Sequence, residues 1–257
     1  MASSLKTNAR ERAILDHVKR NGFVSPAAVA EHIGVSAITA RRDLTKLERL
    51  GLLRRVHGGA VPVPDSLAVS HVASRLRQNA AAKRQIARFA AALVHRGDTL
   101  FLDAGSTCYY LAECLPAEFG LTVITHSLDN VNALKGRAGI RVLCPGGELD
   151  EMLNAFVGPL ADAHLAQFFV DKAFIGTAGV DLARGCVNNT VVERAIKNMM
   201  NRRARESFIV ADASKLGVTA FHQSIALKDV RTLITTRGGP QAIVRRLTKA
   251  GIHVVQV

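Results

Sequence analysis

The helix punctuation between Ser25 and Ser36 restricts the N-terminal fold more than any other feature of the chain. Ser25 is a good N-cap, and Pro26 suits the first helical position, where its missing N–H costs nothing. The apolar pattern runs through Val29 and Ile33 and stops at Gly34. Ser36 then caps a further helix that reaches about Leu50 and ends at Gly51. Only Gly34-Val35 separates the two, a corner so short that the helices must meet at a tight angle. A preceding helix over Arg10–Arg20 places Ile14, Leu15 and Val18 on one face. After Gly51, the apolar and basic stretch Leu52–Val61 turns at Gly58-Gly59 as a β-hairpin does. Three helices and a hairpin make a small winged helix-turn-helix domain over residues 1–62. Pro62 and Pro64 favour an extended connector, so residues 63–77 are expected to be a linker.

On a helical wheel begun at Ala37, that residue gathers with Ala40, Leu44 and Leu47 on one side. Ile38, Arg42, Thr45 and Arg49 face the other way, flanked by Arg41 and Lys46. The first set is expected to pack on the two earlier helices. The second offers guanidinium groups that donate in pairs to guanine edges, and an apolar side chain for a thymine methyl. Ser36 and Thr39 at the helix start suit phosphate contacts, and Arg54, Arg55 and His57 on the wing are placed for backbone or minor groove. Asp43 reads as a partner for an Arg or a neighbouring helix, not as a base reader.

Charge agrees with this reading. The 257 residues carry a formal net charge of +13, which favours nucleic acid, an acidic membrane or phosphorylated ligands as partners. Residues 1–62 hold 11 Lys/Arg against 5 Asp/Glu, a surplus of 6 in less than a quarter of the chain. The surplus is therefore densest where the helix-turn-helix lies.

The remainder, residues 78–257, alternates short apolar strands with helices. Strands are expected at Thr99–Leu102, Leu121–Thr125, Arg141–Cys144, Lys172–Ile175, Ser207–Ala211, Thr232–Thr235 and His253–Val257. Helices are expected over Gln78–His95, 107–115, 127–135, 191–204 and 239–250. Such alternation implies a mostly parallel sheet covered by helices, an α/β domain. Asp103-Ala104-Gly105-Ser106-Thr107 joins a strand to a helix, so backbone N–H groups and small hydroxyls can form a phosphate-sized anion site there. Thr125-His126-Ser127 and Pro145-Gly146-Gly147 also follow strands. In a parallel sheet such loops converge at the carboxyl ends of the strands. Glu193 and Lys197, four residues apart on a helix, and Lys215 in Asp212-Ala213-Ser214-Lys215 are candidates to add charge to the site.

Two sets of motifs carry a resemblance. Val35-Ser36-Ala37-Ile38-Thr39-Ala40-Arg41-Arg42-Asp43-Leu44, Leu47-Glu48, Gly51-Leu52-Leu53 and His57-Gly58-Gly59-Ala60 resemble the DNA-binding motif of the DeoR family of bacterial sugar-metabolism repressors. Gly97-Asp98-Thr99, Asp103–Thr107, Leu121-Thr122-Val123, Gly146-Gly147-Glu148-Leu149, Gly158-Pro159, Glu193–Lys197 and Ala211–Lys215 resemble its sensor domain, so nearly the whole chain is covered. The resemblance implies a sensor related in fold to ribose-5-phosphate isomerase. It also implies a phosphorylated sugar or similar effector, a homo-oligomer (dimer or tetramer) and double-stranded operator DNA as partner. The chain departs from the family pattern at Ala40, where Ile or Val is usual, at His126, where Asn is common, and at Asn188-Asn189, which replace a more variable stretch; the last two are expected to tune specificity for a particular sugar.

The alternative is a sugar-phosphate isomerase or deaminase carrying a DNA-binding head. The related isomerases have an Asp-Gly-Ala-Asp run with a nearby Lys to move a proton. Here Gly176-Thr177-Ala178-Gly179-Val180-Asp181 retains only the last acid, and no Lys lies between Gly185 and Thr190. A regulator without catalytic residues or cofactor is expected. Cys108, Cys114, Cys144 and Cys186 form no C-x-x-C pair and the histidines no metal-binding cluster, so free thiols and no metal are expected. No apolar run approaches membrane-spanning length, and a cytoplasmic protein without a membrane partner is expected.

Overall fold

The computed structural model describes residues 9–49, 52–62 and 72–257, with the side chains of Ala9, Arg49 and Ala73 also outside the description. The chain divides into two compact units, Met1–Ala73 and Ser74–Val257.

The first unit holds α1 (Ala9–Asn21), α2 (Pro26–Ile33), α3 (Ala37–Arg49), β1 (Leu53–Val56) and β2 (Gly59–Pro62). Ser25 caps α2 by accepting from the Ala28 N–H at 3.1 Å, and Gly34 ends it with φ 72°. Ser36 caps α3 through the Thr39 N–H. The expected end of α3 at Leu50-Gly51 lies outside the described residues. Ile14, Val18, Val29, Ala40, Leu44, Leu47 and Leu53 form one buried cluster. Ala37, placed on that face by the wheel, is exposed instead. It is the first residue of α3 and lies before the stretch that packs on α1 and α2. Antiparallel β1 and β2 form the expected hairpin, and a bridge between Val24 and Ala60 ties the wing to the turn before α2. Gly59 permits that approach, because a Cβ there would stand 2.3 Å from the Val24 carbonyl oxygen and 2.6 Å from the Phe23 ring. Gly59→Ala is therefore expected to destabilise this unit by about 1–3 kcal/mol, read as a lower urea midpoint.

The second unit contains α4 (Val72–Arg77, from Ser74 on), α5 (Ala80–Ala92), β3 (Thr99–Leu102), α6 (Ser106–Cys114), β4 (Leu121–Ile124), α7 (Leu128–Leu134), β5 (Ile140–Leu143), β6 (Glu148–Asp150), β7 (Ala155–Val157), α8 (Pro159–Leu165), β8 (Val170–Gly176), β9 (Gly179–Asp181), β10 (Gly185–Asn188), α9 (Glu193–Arg203), β11 (Ala204–Val210), β12 (His222–Ile225), β13 (Thr232–Thr235), α10 (Gln241–Lys249) and β14 (His253–Gln256). The expected linker thus ends in a helix, while its residues 63–71 lie outside the description.

All seven expected strands join one sheet in the order β14-β13-β11-β8-β3-β4-β5, every neighbouring pair parallel. Alternate side chains feed opposite faces. Phe101, Ile175, Ile209 and Leu233 pack with Ile196 and Met200 of α9 and with Val244 and Leu247 of α10. Leu100, Leu102, Phe174, Phe208 and Ile234 pack with Ile86 and Ala90 of α5 and with Leu111 of α6. The antiparallel β6-β7 hairpin and the β12-β10-β9 sheet are additional. Several of their strands have only three residues, too few for an alternating pattern to stand out. From β3 the order runs through β4 to β5 on one side, and from β8 through β11 on the other. The strand order therefore reverses between β3 and β8, which in parallel sheets is where ligands bind.

Candidate DNA-binding face and effector site

Helix α3 separates its two faces sharply. Leu44 and Leu47 are fully buried, whereas Ile38 is 81% exposed. Arg41 and Arg42 stand beside it, exposed and without hydrogen bond or ion pair among the described residues. Ser36 and Thr39 share a hydroxyl–hydroxyl hydrogen bond at 2.9 Å at the helix start. Arg54 and His57 of the wing are exposed. Three other candidates are partly committed. Lys46 donates to the buried Glu11 carboxylate at 2.7 Å. Arg55 donates to the Thr45 hydroxyl and to the Gly59 carbonyl, both at 3.2 Å, and its N–H binds Glu48. Arg49 has no described side chain. Asp43 pairs with Arg10 at 3.0 Å, the helix-to-helix contact expected of it. Lys46–Glu11 and Arg10–Asp43 both clamp α3 to α1, and the Lys46 pairing is a role for charge that no wheel of one helix reveals.

At the reversal between β3 and β8 the second unit gathers buried charge. Lys197 Nζ donates to Asp103 Oδ2 and to the Gly176 carbonyl at 2.9 Å, and lies 3.3 Å from Glu193. The Gly176 N–H also donates to Asp103 Oδ2, at 2.9 Å. Glu193 accepts from Asn188 at 2.9 Å and from Thr190 at 2.8 Å. Burial opposes the Lys197 charge, but Asp103 and then Glu193 outweigh it and push the pKa above its ordinary value. Burial likewise opposes ionisation of Glu193, yet Lys197, Arg75 and Thr190 together bring its pKa below the usual range.

The β3–α6 turn borders this cluster. Gly105 has φ 129°, and a Cβ built on it would meet nothing within 4 Å, so the backbone faces open space. Ser106 and Thr107 follow, and no side chain caps the N-terminus of α6. Its first N–H groups therefore have no side-chain partner among the described residues. In the 125–127 turn the hydroxyls serve the backbone: Thr125 accepts from the Ser127 N–H and from Asn130, and Ser127 caps α7. His126, buried, lies with Nε2 3.8 Å from Asp103 Oδ1.

Two expected contributors stand apart. Gly146-Gly147 is followed by the β6-β7 hairpin, and a Cβ at Gly147 would lie 2.7 Å from the Val157 carbonyl oxygen and 3.1 Å from Ala161 Cβ. Close packing explains that glycine. Lys215 follows β11, one strand beyond β8, beside an Asp212 that accepts from Asn79 and Ser214. Neither Lys215 nor the glycine pair bonds to Asp103, His126, Glu193 or Lys197 among the described residues.

Arg75 was missed by sequence reasoning, which left it in the linker. Its charge acts on both Glu193 and Asp129, and its Nε is buried without a hydrogen-bond partner among the described residues. Lys83 Nζ holds the Arg75 carbonyl and the Gln78 carbonyl, and the Tyr110 hydroxyl holds the Leu76 carbonyl at 2.9 Å. Desolvation lowers the Lys83 pKa to about 8. These contacts anchor the last turn of α4 to α5 and α6. Asn130 was missed as well, because it meets the cluster only across strands, whereas Asn188, noted in the sequence as a departure from the family pattern, binds Glu193.

Comparison with known proteins decides the family. Residues 10–64 match the DeoR-like helix-turn-helix domain, and residues 78–237 match the DeoR C terminal sensor domain. The chain belongs to the DeoR family. Family relatives include the transcriptional repressor AccR of Agrobacterium fabrum, 34% identical over 90% of each chain. The glycerol-3-phosphate regulon repressor of Escherichia coli is 30% identical, over 97% of this chain and 99% of that one. Ribose 5-phosphate isomerase A from Methanocaldococcus jannaschii aligns over 54% of this chain and 55% of its own, with 20% identity and a TM-score of 0.39.

As a family member the chain is a DNA-binding transcriptional regulator with a C-terminal sensor, and the isomerase alternative gives way to that reading. The one acid retained from the isomerase run, Asp181, caps a turn by accepting from the Ala183 and Arg184 N–H groups. Among the described residues no helix is long and apolar enough to cross a membrane, and no cluster of three or more His, Cys, Asp or Glu is arranged to hold a metal. The four cysteines are free thiols, and burial pushes the Cys186 thiol up to about 12.

Proposed function

We propose that the chain represses carbohydrate-utilisation genes and leaves its operator when a phosphorylated sugar or related metabolite occupies the sensor. The observation that carries the DNA half is the outer face of α3: Ile38 exposed with unpaired Arg41 and Arg42, over an inner face of fully buried leucines. In this reading Ile38, Arg41 and Arg42 meet base edges. Ser36, Thr39, Lys46, Arg49, Arg54 and His57 meet phosphate, and Thr45 with Arg55 holds the wing against α3. Two copies in a homo-oligomer place two such helices on a pseudo-palindromic site about one helical turn apart.

The uncapped start of α6, the open Gly105 and the unpartnered Arg75 Nε support binding of an anionic ester, with Lys197 and Glu193 fixing Asp103 beside it. The glycerol-3-phosphate regulon repressor is similar over nearly the whole chain, which agrees with a phosphorylated effector. Arg75 links the site to regulation. It lies one residue after Ser74, where the sensor unit begins, on a helical turn held by Lys83 and Tyr110. A ligand that draws on Arg75 strains this turn, and it can release DNA only by as much as its affinities for the two conformers differ.

The test is binding of the full chain to duplexes from its own upstream region. Arg42→Ala is expected to weaken specific binding by about 1–3 kcal/mol without lowering Tm. Equal binding by Arg42→Ala, or no preference over random duplex in the native protein, overturns the assignment of this face.

A further inference from the structure

Asp103 is only half satisfied. Its Oδ2 accepts from Lys197 and from the Gly176 N–H, whereas Oδ1 is buried with no hydrogen bond among the described residues. His126 Nε2 lies 3.8 Å from Oδ1, out of hydrogen-bond range. His126 is itself buried, and its Nδ1 also has no partner. Two neighbouring donors, Asn130 and Lys197, are committed. Asn130 Nδ2 binds the Asp103 carbonyl and Thr125, and Lys197 binds Asp103 Oδ2 and Gly176. An unpaired carboxylate oxygen in such a place is costly, and buried polar atoms are normally completed by water or ligand.

The charge around Oδ1 selects the partner that would complete it. Asp103 and Glu193 face the Lys197 ammonium, with the Arg75 charge acting on Glu193, so the cluster is close to neutral. Burial lowers the His126 pKa against the pull of Asp103, which favours the neutral imidazole. A carboxylate or second phosphate would add an anion against Asp103. A hydroxyl fits: its oxygen can stand about 2.8 Å from both Oδ1 and Nε2, donating to the carboxylate and accepting from the ring N–H.

We propose that Asp103 Oδ1 and His126 form a hydroxyl-reading pair, so the site takes a phosphate ester with a free hydroxyl at that position and rejects one with a carboxylate there. This rests on the effector reading above and deepens it, by adding a specificity element to the anion site.

The experiment is calorimetric titration of the full chain with a panel of sugar and polyol monophosphates, 3-phosphoglycerate, 6-phosphogluconate and inorganic phosphate, then with single-deoxy derivatives of the best binder. One deoxy position is expected to lose about tenfold or more in affinity. In His126→Ala that loss shrinks to below about twofold, and His126→Gln, which keeps a donor, restores part of it. A merely structural histidine weakens every derivative alike and leaves the deoxy penalty intact, which overturns the pair. Deoxy derivatives that all bind native protein like the parent mean that water alone completes Oδ1, and overturn it too. A phospho-acid as the best binder contradicts the charge argument. Failure of every phosphate ester to bind overturns the effector reading itself, a result distinct from the others.

Discussion

Lys197→Met should lower the stability of the sensor unit by about 3–5 kcal/mol, the usual cost of removing one partner from a buried ion pair. Methionine fills much of the lysine volume, so the effect isolates the charge. Lys197 is 1% exposed and stands between Asp103 and Glu193. Without it two buried carboxylates remain, and the Gly176 carbonyl loses its donor. Asn188, Thr190 and the Gly176 N–H still bind those carboxylates but carry no formal charge to offset them. The variant should also lose its response to effector, because Asp103 would no longer be fixed. Urea unfolding of full-length protein, followed by circular dichroism, reads the first effect. An unchanged midpoint would mean that the ammonium contributes nothing, and the buried cluster would need another explanation.

Leu44→Ala acts on the other unit and should cost about 2–5 kcal/mol. Leu44 is fully buried in a cluster that draws residues from all three helices and from the wing. A unit of this size has little stability to spare. The head is therefore expected to unfold near room temperature and DNA binding to disappear, although every base-facing side chain is intact. Ile38→Ala, on the opposite face of the same helix, should leave Tm unchanged and weaken only DNA binding. Loss of stability in both variants, or in neither, would contradict the assignment of the two faces.

Much of this architecture was legible in the sequence because local rules fix it. Ser25, Gly34 and Ser36 occupy cap positions that only a few residue types fill well, and the structure uses each as expected. The seven strands of the large sheet stand out because apolar runs are buried on both faces. Legibility fails where a residue's role is set by a distant segment. Ala37 matched the period of α3 yet lies beyond its packed stretch. Lys46 and Arg55 looked like free cations, but Glu11 and Thr45 engage them across the fold. Asp103, His126 and the Glu193–Lys197 pair were proposed from three separate motifs, and the sheet brings them together. Arg75 carried no local signal at all. Its importance comes from the acids of α7 and α9, which no spacing along the chain connects to it.

The most direct test follows fluorescence anisotropy of full-length protein on a labelled duplex from its own upstream region, at moderate salt, while phosphorylated sugars and their unphosphorylated forms are titrated in. The account predicts a bound duplex that one phosphorylated compound releases at concentrations where its unphosphorylated form has no effect. Absence of binding to any duplex from that region, or release that is the same with and without the phosphate, would contradict it.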